Sequence, residues 1–393
     1  MRPEKVLERV ANELIRSIKG VESIVLCNSH ARGEPTALSD YDLEVIIKTP
    51  LLPIYLPKIK RLEKELNKKI GVKIKIGPNS VFLMKRAPRN AFFYDLKFGG
   101  KVLYGKNLLT LIPINRGHEV EKSSCVEFLF NLLVEFVSNL DVGFFFRKLR
   151  KEEEEKLTYT CSKMFLGCCA GLLILKGMYK STYQQRVTLF TRIFRKEFPL
   201  LYEKVPEFLH YVNASYEYRS KCSFLGTISP LDFWFLTRYY FGKILVYCLR
   251  NTMDLGLESG DWIRICEEFL SKSYLPIFNN LQFFILVSLL EEKHEKVSPF
   301  VVFSRRPVAK SFQSALLLTT FSISREGSID GSMIKHAYDL VKGYMPARLR
   351  GSSDRRVWNK LRKWLISYYN YACPLGRYQL GFKRRITLKP SKG

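Results

Sequence analysis

The sequence predicts an α+β protein in which a small domain with a mixed sheet precedes a mostly α-helical domain. Short apolar runs with strand-like alternation are confined to residues 1–110, where helix-like segments separate them. From residue 122 to residue 295 the strand pattern disappears, and long segments with helical apolar spacing replace it. The chain has 393 residues, 47% of them apolar, which is enough for two or more domains with cores of their own.

Changes in composition divide the chain into four segments. Pro113 and Gly117 mark a linker between the two main segments. We expect an α/β domain at 1–110, a linker at 111–121, a helical bundle at 122–295, and a basic, largely helical C-terminal region at 296–393.

Each element of the first domain rests on its own local signal, either apolar periodicity or a glycine or proline at its end. The expected order is a helix at 4–19 ended by Gly20, a strand at 24–26, a turn at 28–29, a strand at 40–47, a helix from Pro57 to Gly71, a strand at 72–76, and a hairpin or strand and turn within 92–104.

The rest of the chain is expected to be helical in most places. The segments with helical spacing are 122–146, 157–179, 183–196, 200–217, 230–252, 261–272, 277–293, 332–343 and 354–371. Two short runs, 301–303 and 316–321, fit strand or helix equally well, because periodicity does not separate the two over so few residues.

Basic residues outnumber acidic ones by 27, and they concentrate at the two ends of the chain. Residues 1–110 carry a net charge of +10 and residues 335–393 carry +13, whereas the region between them carries +4. This balance favours polyanionic partners such as nucleic acid and nucleotides, with an anionic membrane surface as the weaker alternative. RNA is the polymer we expect at the basic N- and C-terminal regions.

The C-terminal region also combines basic and aromatic side chains, which suit phosphates and bases respectively. Because Trp358, Leu361 and Tyr368 fit one helical stripe, burial in a core is an equally good interpretation of the aromatic residues. The side chains concerned are Arg350, Arg355, Arg356, Arg362, Arg384, Arg385, Trp358, Trp364, Tyr368, Tyr369 and Tyr378.

The nine cysteines show no spacing typical of a zinc site, so buried thiols in a reducing cytoplasm are the expected state. The N-terminus lacks a hydrophobic signal segment. The apolar runs at 126–146, 161–175 and 278–290 are interrupted by charged or polar residues or are too short to cross a bilayer. We expect them to be buried helices.

A polar turn and a row of acidic residues stand out in the first domain. The turn, Asn28-Ser29, follows an apolar run, and Asp40, Asp42 and Glu44 then alternate along the next strand, so they share one face. Carboxylates placed this closely repel one another unless a cation lies among them. The pattern predicts a metal and phosphate site, with Mg²⁺ on the carboxylates and phosphates at the turn.

The sequence Asn-Ser-His-Ala-Arg-Gly-Glu, followed by Ser-Asp-Tyr-Asp-Leu-Glu-Val, resembles the signature of the DNA polymerase β-like nucleotidyltransferase superfamily. It is most similar to that of the minimal nucleotidyltransferases, Gly-Ser-x-Ala-Arg-Gly, a short gap, then Ser-Asp-x-Asp-Leu. The resemblance is strict over residues 28–45 and loose over residues 1–110.

The resemblance implies an enzyme that moves a nucleoside monophosphate from a nucleoside triphosphate (NTP) to a hydroxyl acceptor and releases pyrophosphate. It implies that Asp40 and Asp42 bind Mg²⁺ and that Asn28 and Ser29 contact the triphosphate. Arg32 is expected near the phosphates or paired with an acid. RNA is one candidate acceptor, beside a protein side chain and a small molecule.

The sequence departs from the family pattern at two points. Asn28 replaces the usual glycine, and Asn tolerates a left-handed φ better than most other residues. The strand expected to carry a third carboxylate has Lys73 and Lys75 instead, so Asp95 and Glu44 become the substitutes. The alternative for Asp95 is a turn or cap residue, and the alternative for Glu44 is placement on the surface. Without a third carboxylate the chain is a catalytically inactive relative that binds nucleotide or nucleic acid, and this alternative stays open.

The helical region offers one further comparison with larger members of the superfamily. Residues 176–186 read as a helix end, a polar turn and a new helix, similar to a segment of their helical domains. Tyr183 and Arg186 are therefore expected either to face substrate or to serve the start of the new helix, and the second role is favoured. His30 is expected to be a turn residue rather than a phosphate ligand.

Overall fold

The computed structural model confirms the α+β class. It describes residues 3–221, 228–256, 260–272, 277–290, 302, 304, 307–344 and 354–373. Within them a four-stranded sheet near the N-terminus is followed by a region of helices.

The sheet is mixed, as the sequence predicts. Its strands are β1 (Val21–Cys27), β2 (Tyr41–Ile47), β3 (Ile74–Ser80) and β4 (Lys101–Gly105), arranged in the order β3-β2-β1-β4. Strand β1 is antiparallel to both of its neighbours, whereas β2 and β3 are parallel. A parallel pair requires a long crossover connection, and a helix between β2 and β3 supplies it.

Five helices belong to the sheet region. They are α1 (Pro3–Ser17), α2 (Asn28–Arg32), α3 (Leu52–Ile70), α4 (Val81–Lys85) and α5 (Ala91–Gly99). Helix α3 begins before Pro57, so the predicted start at Pro57 is wrong. Leu52 and Leu56 are buried, and this packing outweighs the single backbone bond that the proline removes.

Two further predictions in this region need correction. Residues 92–96, predicted as strand, lie in α5, where the Asn90 side chain accepts a hydrogen bond from the Phe93 amide and caps the helix. A short apolar run does not reveal its periodicity, whereas the cap decides it. The strand predicted at 72–76 is present but extends from Ile74 to Ser80.

After the sheet region the described residues are mostly helical, and 316–321 belongs to a helix. The elements are α6 (Ser124–Ser138), α7 (Lys151–Leu175), α8 (Tyr183–Glu197), α9 (Pro199–Lys204), α10 (Phe208–Lys221), α11 (Pro230–Met253), α12 (Trp262–Ser271), α13 (Ile277–Leu290), α14 (Val308–Phe321), α15 (Gly331–Val341) and α16 (Asp354–Ala372). The segment 200–217, predicted as one helix, forms two. Of the run 301–303, only residue 302 is described.

Two apolar cores lie on opposite faces of the sheet. The smaller core joins α1 and α3 to the face that carries Ile24 and Val45. The larger core joins the face that carries Val25 and Ile46 to α5 and to the helical region. Apolar residues of segment 111–121, such as Ile114, are buried in the larger core.

Helix α7 is long and apolar enough to cross a membrane by length and composition alone, but 89% of its apolar window is buried within the protein. This burial is what a core helix of a soluble protein shows, and it agrees with the expectation for 161–175. The eight cysteines in the described residues are all buried and unbridged.

Candidate functional site

The turn after β1 and the start of β2 lie side by side because these strands are antiparallel neighbours. Cys27, the last residue of β1, pairs with Asp42 of β2. Asn28 follows with a φ of 58°, in the left-handed region that Asn adopts more readily than most non-glycine residues. The turn therefore forms without the usual glycine, and it meets the predicted carboxylates at one end of the sheet.

Ser29 and His30 show how this turn is held. The Ser29 carbonyl accepts a hydrogen bond from the Glu34 amide, and the Ser29 side chain is partly exposed. The His30 ring stacks on Tyr41 with centroids 4.0 Å apart, and its Nε2 lies 3.4 Å from the Ser39 carbonyl. His30 thus fixes the loop between the turn and β2, as expected of a turn residue.

Asp40 is paired with the two lysines that stand where a third carboxylate was sought. Its Oδ2 lies 2.7 Å from Lys75 Nζ and 3.1 Å from Lys73 Nζ. Burial raises the pKa of Asp40, but hydrogen bonds and charge from the lysines outweigh burial and hold the pKa below its ordinary value. Asp42 lies opposite Lys75 in the register of β2 and β3.

Glu44, one of the two substitutes for the third carboxylate, is buried with a relative exposure of 1%. Asn79 Nδ2 donates to its Oε2 at 2.9 Å. Gly77 lies opposite Glu44, and a Cβ there would be 2.1 Å from Glu44 Oε1. The carboxylate therefore occupies space that only a glycine leaves, and the expected alternative of surface placement is wrong.

Asp95, the other substitute, lies at the centre of a buried ionic cluster. Both of its carboxylate oxygens lie 2.9 Å from Arg186 Nη2, and Tyr179 donates to Oδ2 at 3.0 Å. Arg32 Nη1 donates to the same oxygen at 3.4 Å. The carboxylate is thus already bound to two guanidinium groups, one from α2 and one from α8.

The same cluster decides the surroundings of Arg32 and Glu34. Arg32 is paired with acids, the second of its two expected arrangements, since its Nε also lies 3.5 Å from Glu34. The Glu34 carboxylate accepts hydrogen bonds from the amides of Tyr183 and Gln184 at 3.1 and 3.2 Å. Glu34 thereby ties the loop before β2 to the start of α8.

Arg186 has a structural role. Besides Asp95 it binds the carbonyl oxygens of Lys180 and Ser181 at 2.6 and 2.8 Å, and only 3% of it is exposed. Thr182, not Arg186, caps α8, since its hydroxyl accepts from the Gln185 amide. Arg186 instead fixes the polar turn before the helix.

A second wall faces the carboxylates from the helical region. Glu135 of α6 is bound to Lys163 of α7 at 2.5 Å. Tyr159 lies one turn earlier on α7, where the guanidinium of Arg219 from α10 is 4.9 Å from the centre of its ring. Burial raises the pKa of Tyr159, but Arg219, Lys163 and Thr36 in the loop before β2 outweigh burial and lower it. Because Thr36 precedes β2 and Tyr159 belongs to the helical region, the two walls come together at these two side chains.

The charges on the two walls influence one another. Burial raises the pKa of Glu135, but Lys163 outweighs burial and lowers the pKa below its ordinary value. Lys75 lowers this pKa slightly further, and Asp40 raises it slightly. Burial lowers the pKa of Lys163, but Glu135 and the neighbouring Tyr183 and Tyr159 outweigh burial and raise it. Of the two side chains, 28% of Lys163 and 38% of Glu135 stay accessible to solvent. Both side chains are thus partly open to solvent close to Lys75 and Asp40, whose charges act on Glu135.

Sequence reasoning missed this second wall. Glu135 and Lys163 lie in apolar helices, 28 positions apart, and no local motif joins them. The only local signal was one charged residue within the apolar stripe of each helix, at a position where an apolar residue is expected. Pairing such residues requires knowing that α6 packs on α7.

The C-terminal region contributes less to a surface than its composition suggests. Trp358, Tyr368 and Tyr369 are buried in the larger core, so burial is the correct interpretation for them. Arg362 is also buried and binds the carbonyl oxygens of Val137 and Ser138 at 3.1 Å each. Arg350, Tyr378, Arg384 and Arg385 lie outside the described residues.

The chain was compared with models of known families, with curated proteins and with solved structures, and none of them gives a significant match. The resemblance to the nucleotidyltransferase superfamily therefore rests on residues 28–45 and stays a prediction.

Proposed function

We propose that this chain is a nucleotidyltransferase that moves a nucleoside monophosphate from an NTP to a hydroxyl acceptor with release of pyrophosphate. The pairing of Cys27 with Asp42 carries the proposal, because it sets the turn of Asn28 and Ser29 beside the two aspartates. A hydroxyl and two carboxylates at one end of a sheet are what a triphosphate with its cation requires.

The residues present suit Mg²⁺ in part. Asp40 and Asp42 would hold it, since Mg²⁺ in proteins commonly takes one or two carboxylates together with substrate phosphates. The described residues contain no group of three or more His, Cys, Asp or Glu side chains that could hold a metal without substrate. When bound, the ion would neutralise charge on the phosphates and lower the pKa of the acceptor hydroxyl.

The protein's own groups would bind and orient the triphosphate. Ser29 has a partly exposed side chain at the turn, and the left-handed φ of Asn28 sets the direction of the backbone before it. The side chains of Lys73 and Lys75 are exposed by 68% and 41%, and their ammonium groups lie 3.1 and 2.7 Å from Asp40 Oδ2. When a cation takes up Asp40, these lysines become free to pair with phosphate oxygens of the same substrate.

We place the acceptor against the wall that Glu135 and Lys163 form beside Asp40 and Lys75. Arg219, Lys163 and Tyr159 give this wall donors for an acceptor that carries phosphates, and RNA fits that description. A cytoplasmic location suits both NTP supply and reduced thiols.

The alternative is a nucleotidyltransferase fold that binds nucleotide or nucleic acid without catalysis. A specific observation favours it. Lys75 Nζ, at 2.7 Å from Asp40, lies where a cation would bind, while Glu44 and Asp95 are engaged by Asn79 and Arg186. In this reading the lysines permanently replace the metal.

One experiment separates the two functions. The protein is incubated with Mg²⁺, each α-labelled NTP in turn, and cellular RNA, beside an Asp40→Asn/Asp42→Asn variant. A Glu203→Gln variant, altered at an exposed acid on α9, is the matched control.

Transfer of label by the wild type and by the control, but not by the double variant, supports the enzyme. If none of the three proteins transfers label and all retain NTP or RNA equally on a filter, the proposed enzyme activity is refuted and the binding function is supported. RNA is replaced by protein and by small hydroxyl compounds before the result is scored.

A further inference from the structure

A second basic surface lies in the helical region, away from the carboxylates. It is a groove of about 370 Å³ formed by α11, the start of α12, the end of α14 and the turn that follows α14. Arg238, Lys243 and Arg325 line it together with Tyr239, Trp262 and Phe321, and no Asp or Glu is among its described lining residues. The groove therefore combines three cations with aromatic rings.

Arg238 lies half-buried in this groove, and its charge is not matched by an acid. Nη1 donates to the carbonyl oxygens of Thr320 and Ile323 at 3.2 and 2.5 Å, and no carboxylate of the described residues pairs with it. Burial and the nearby charge of Arg325 lower the pKa of Arg238 to about 10. An anion in the groove would relieve both effects.

The rings differ in what they offer a ligand. Trp262 and Phe321 stack on each other with centroids 3.7 Å apart, and they form the firm side of the groove. Tyr239 is 49% exposed and stands at the edge, one residue from Arg238. An exposed ring beside a guanidinium offers one face for stacking and one donor for a phosphate.

The surface continues beyond the groove. The ring of Phe235 contacts that of Phe145 at 6.0 Å, and the turn at Gly327 is packed against Phe145. Phe146, the next residue, is 54% exposed, and the guanidinium of Arg355 lies 4.2 Å from its centroid. Phe145, Phe146 and Arg355 thus form a strip that adjoins the groove at Phe235 and adds an exposed ring and a cation to it.

We propose that this groove and strip bind a single-stranded nucleic acid, with phosphates at Arg238, Lys243 and Arg325 and bases stacked on Tyr239 and Phe146. The cations suit the phosphates of a nucleic acid, and the exposed rings beside them suit its unpaired bases. A duplex could pair its phosphates with the cations, but its bases are already stacked on one another and would not contact the rings. An acidic peptide has no bases to stack on them. The proposal does not rest on nucleotidyl transfer, because binding needs neither NTP nor Mg²⁺.

Binding is measured by fluorescence anisotropy with a labelled single-stranded RNA of about 16 nucleotides, the upper site size of one stacking module, and with its DNA equivalent. We expect Tyr239→Leu to weaken binding about ten-fold, the effect of losing one stacked base. Lys243→Glu/Arg325→Glu is expected to weaken binding further and to reduce the dependence on salt, because fewer counterions are released.

Matched controls show whether any loss belongs to this surface. Tyr104→Leu alters another exposed tyrosine, on β4, and Arg192→Glu/Lys196→Glu alters two exposed cations on α8. Thermal unfolding of every variant shows whether the fold is kept. Unchanged affinity of the groove variants, affinity loss equal to that of the controls, or equal competition by duplex RNA or polyglutamate would each overturn the proposal.

Discussion

Two aspartates in this protein have the same side-chain exposure, 14%, and each is bound by two basic groups. They differ in what surrounds those groups. The lysines at Asp40 are exposed by 68% and 41%, whereas the arginines at Asp95, Arg32 and Arg186, are exposed by 5% and 4%.

The difference in exposure determines how readily each aspartate exchanges its basic partners for another cation. An exposed ammonium group regains its hydration when it leaves a carboxylate, so the lysines can give up Asp40 to another cation at little cost. A buried guanidinium has no such replacement, and separating it from Asp95 leaves an uncompensated charge in the interior. The first aspartate is suited to binding a ligand, and the second is suited to holding α2, α5 and α8 together.

The largest effect on stability is expected when Asp95 is removed from its pairs with Arg32 and Arg186. Asp95→Ala leaves Arg186 buried without its carboxylate, and we expect the free energy of unfolding to fall by about 3–5 kcal/mol. Urea unfolding measures this, with Glu203→Ala on the exposed face of α9 as control. A loss no larger than that of the control would show that Asp95 is as dispensable as a surface acid.

A smaller effect is expected at the link between the loop and α8. Glu34→Ala removes the acceptor of two amide groups at the start of this helix, and we expect a loss of about 1–2 kcal/mol, the range of a helix cap. Hydrogen exchange at the Tyr183 and Gln184 amides should accelerate, while exchange in the middle of α8 stays slow. Unchanged exchange at both amides would contradict the link.

At Asp40 the expected effect on stability is less than about 1 kcal/mol, because its partners are exposed. Its folded pKa is below the ordinary value, so its contribution is present above about pH 4 and is lost as the pH falls through the lower folded pKa. Asp40→Asn should therefore unfold with a weaker pH dependence below pH ~4. A pH series of urea midpoints tests this, and a steeper dependence in the variant would refute it.

The smallest change in stability, a few tenths of a kcal/mol, is expected for Lys75→Met. Its effect on ligands distinguishes the two proposed functions. If Lys75 serves phosphates, NTP binding weakens about ten-fold or less, as expected for one exposed charge. If Lys75 permanently replaces a metal, the variant gains Mg²⁺ affinity in the absence of NTP. Titration calorimetry with each ligand decides, with Lys196→Met on α8 as control.

The same contrast explains what the sequence could reveal. The turn, Asn28 and the two aspartates are close in sequence, so strand alternation and one resemblance are enough to place them together. The left-handed φ of Asn28 follows from the chemistry of its side chain and is confirmed. The predicted face of Glu44 is correct, but its predicted alternative, placement on the surface, is wrong. The space that buries this side chain lies beside Gly77 on a neighbouring strand, which local sequence does not reveal.

Long-range partners were out of reach of sequence reasoning. Asp95 and Arg186 are 91 residues apart, and Tyr179 reaches the same carboxylate from 84 residues away. Each lies in a segment whose local pattern gives a reason for its presence, such as a turn or a helix start. Only the packing of α5 against the turn before α8 shows that the three act together.

The arrangement of the two apolar cores bears on how the chain folds while it is being synthesised. One face of the sheet is completed by α1 and α3, which emerge with it, but the face with Val25 and Ile46 belongs to a core that α5 begins and that helices after residue 122 complete. Until those helices leave the ribosome, the larger core is incomplete, and the apolar residues that the sheet and α5 contribute to it are open to other chains. We expect a fragment ending at residue 110 to aggregate and one that includes α6 and α7 to be more soluble, as sedimentation of the two fragments after expression can show.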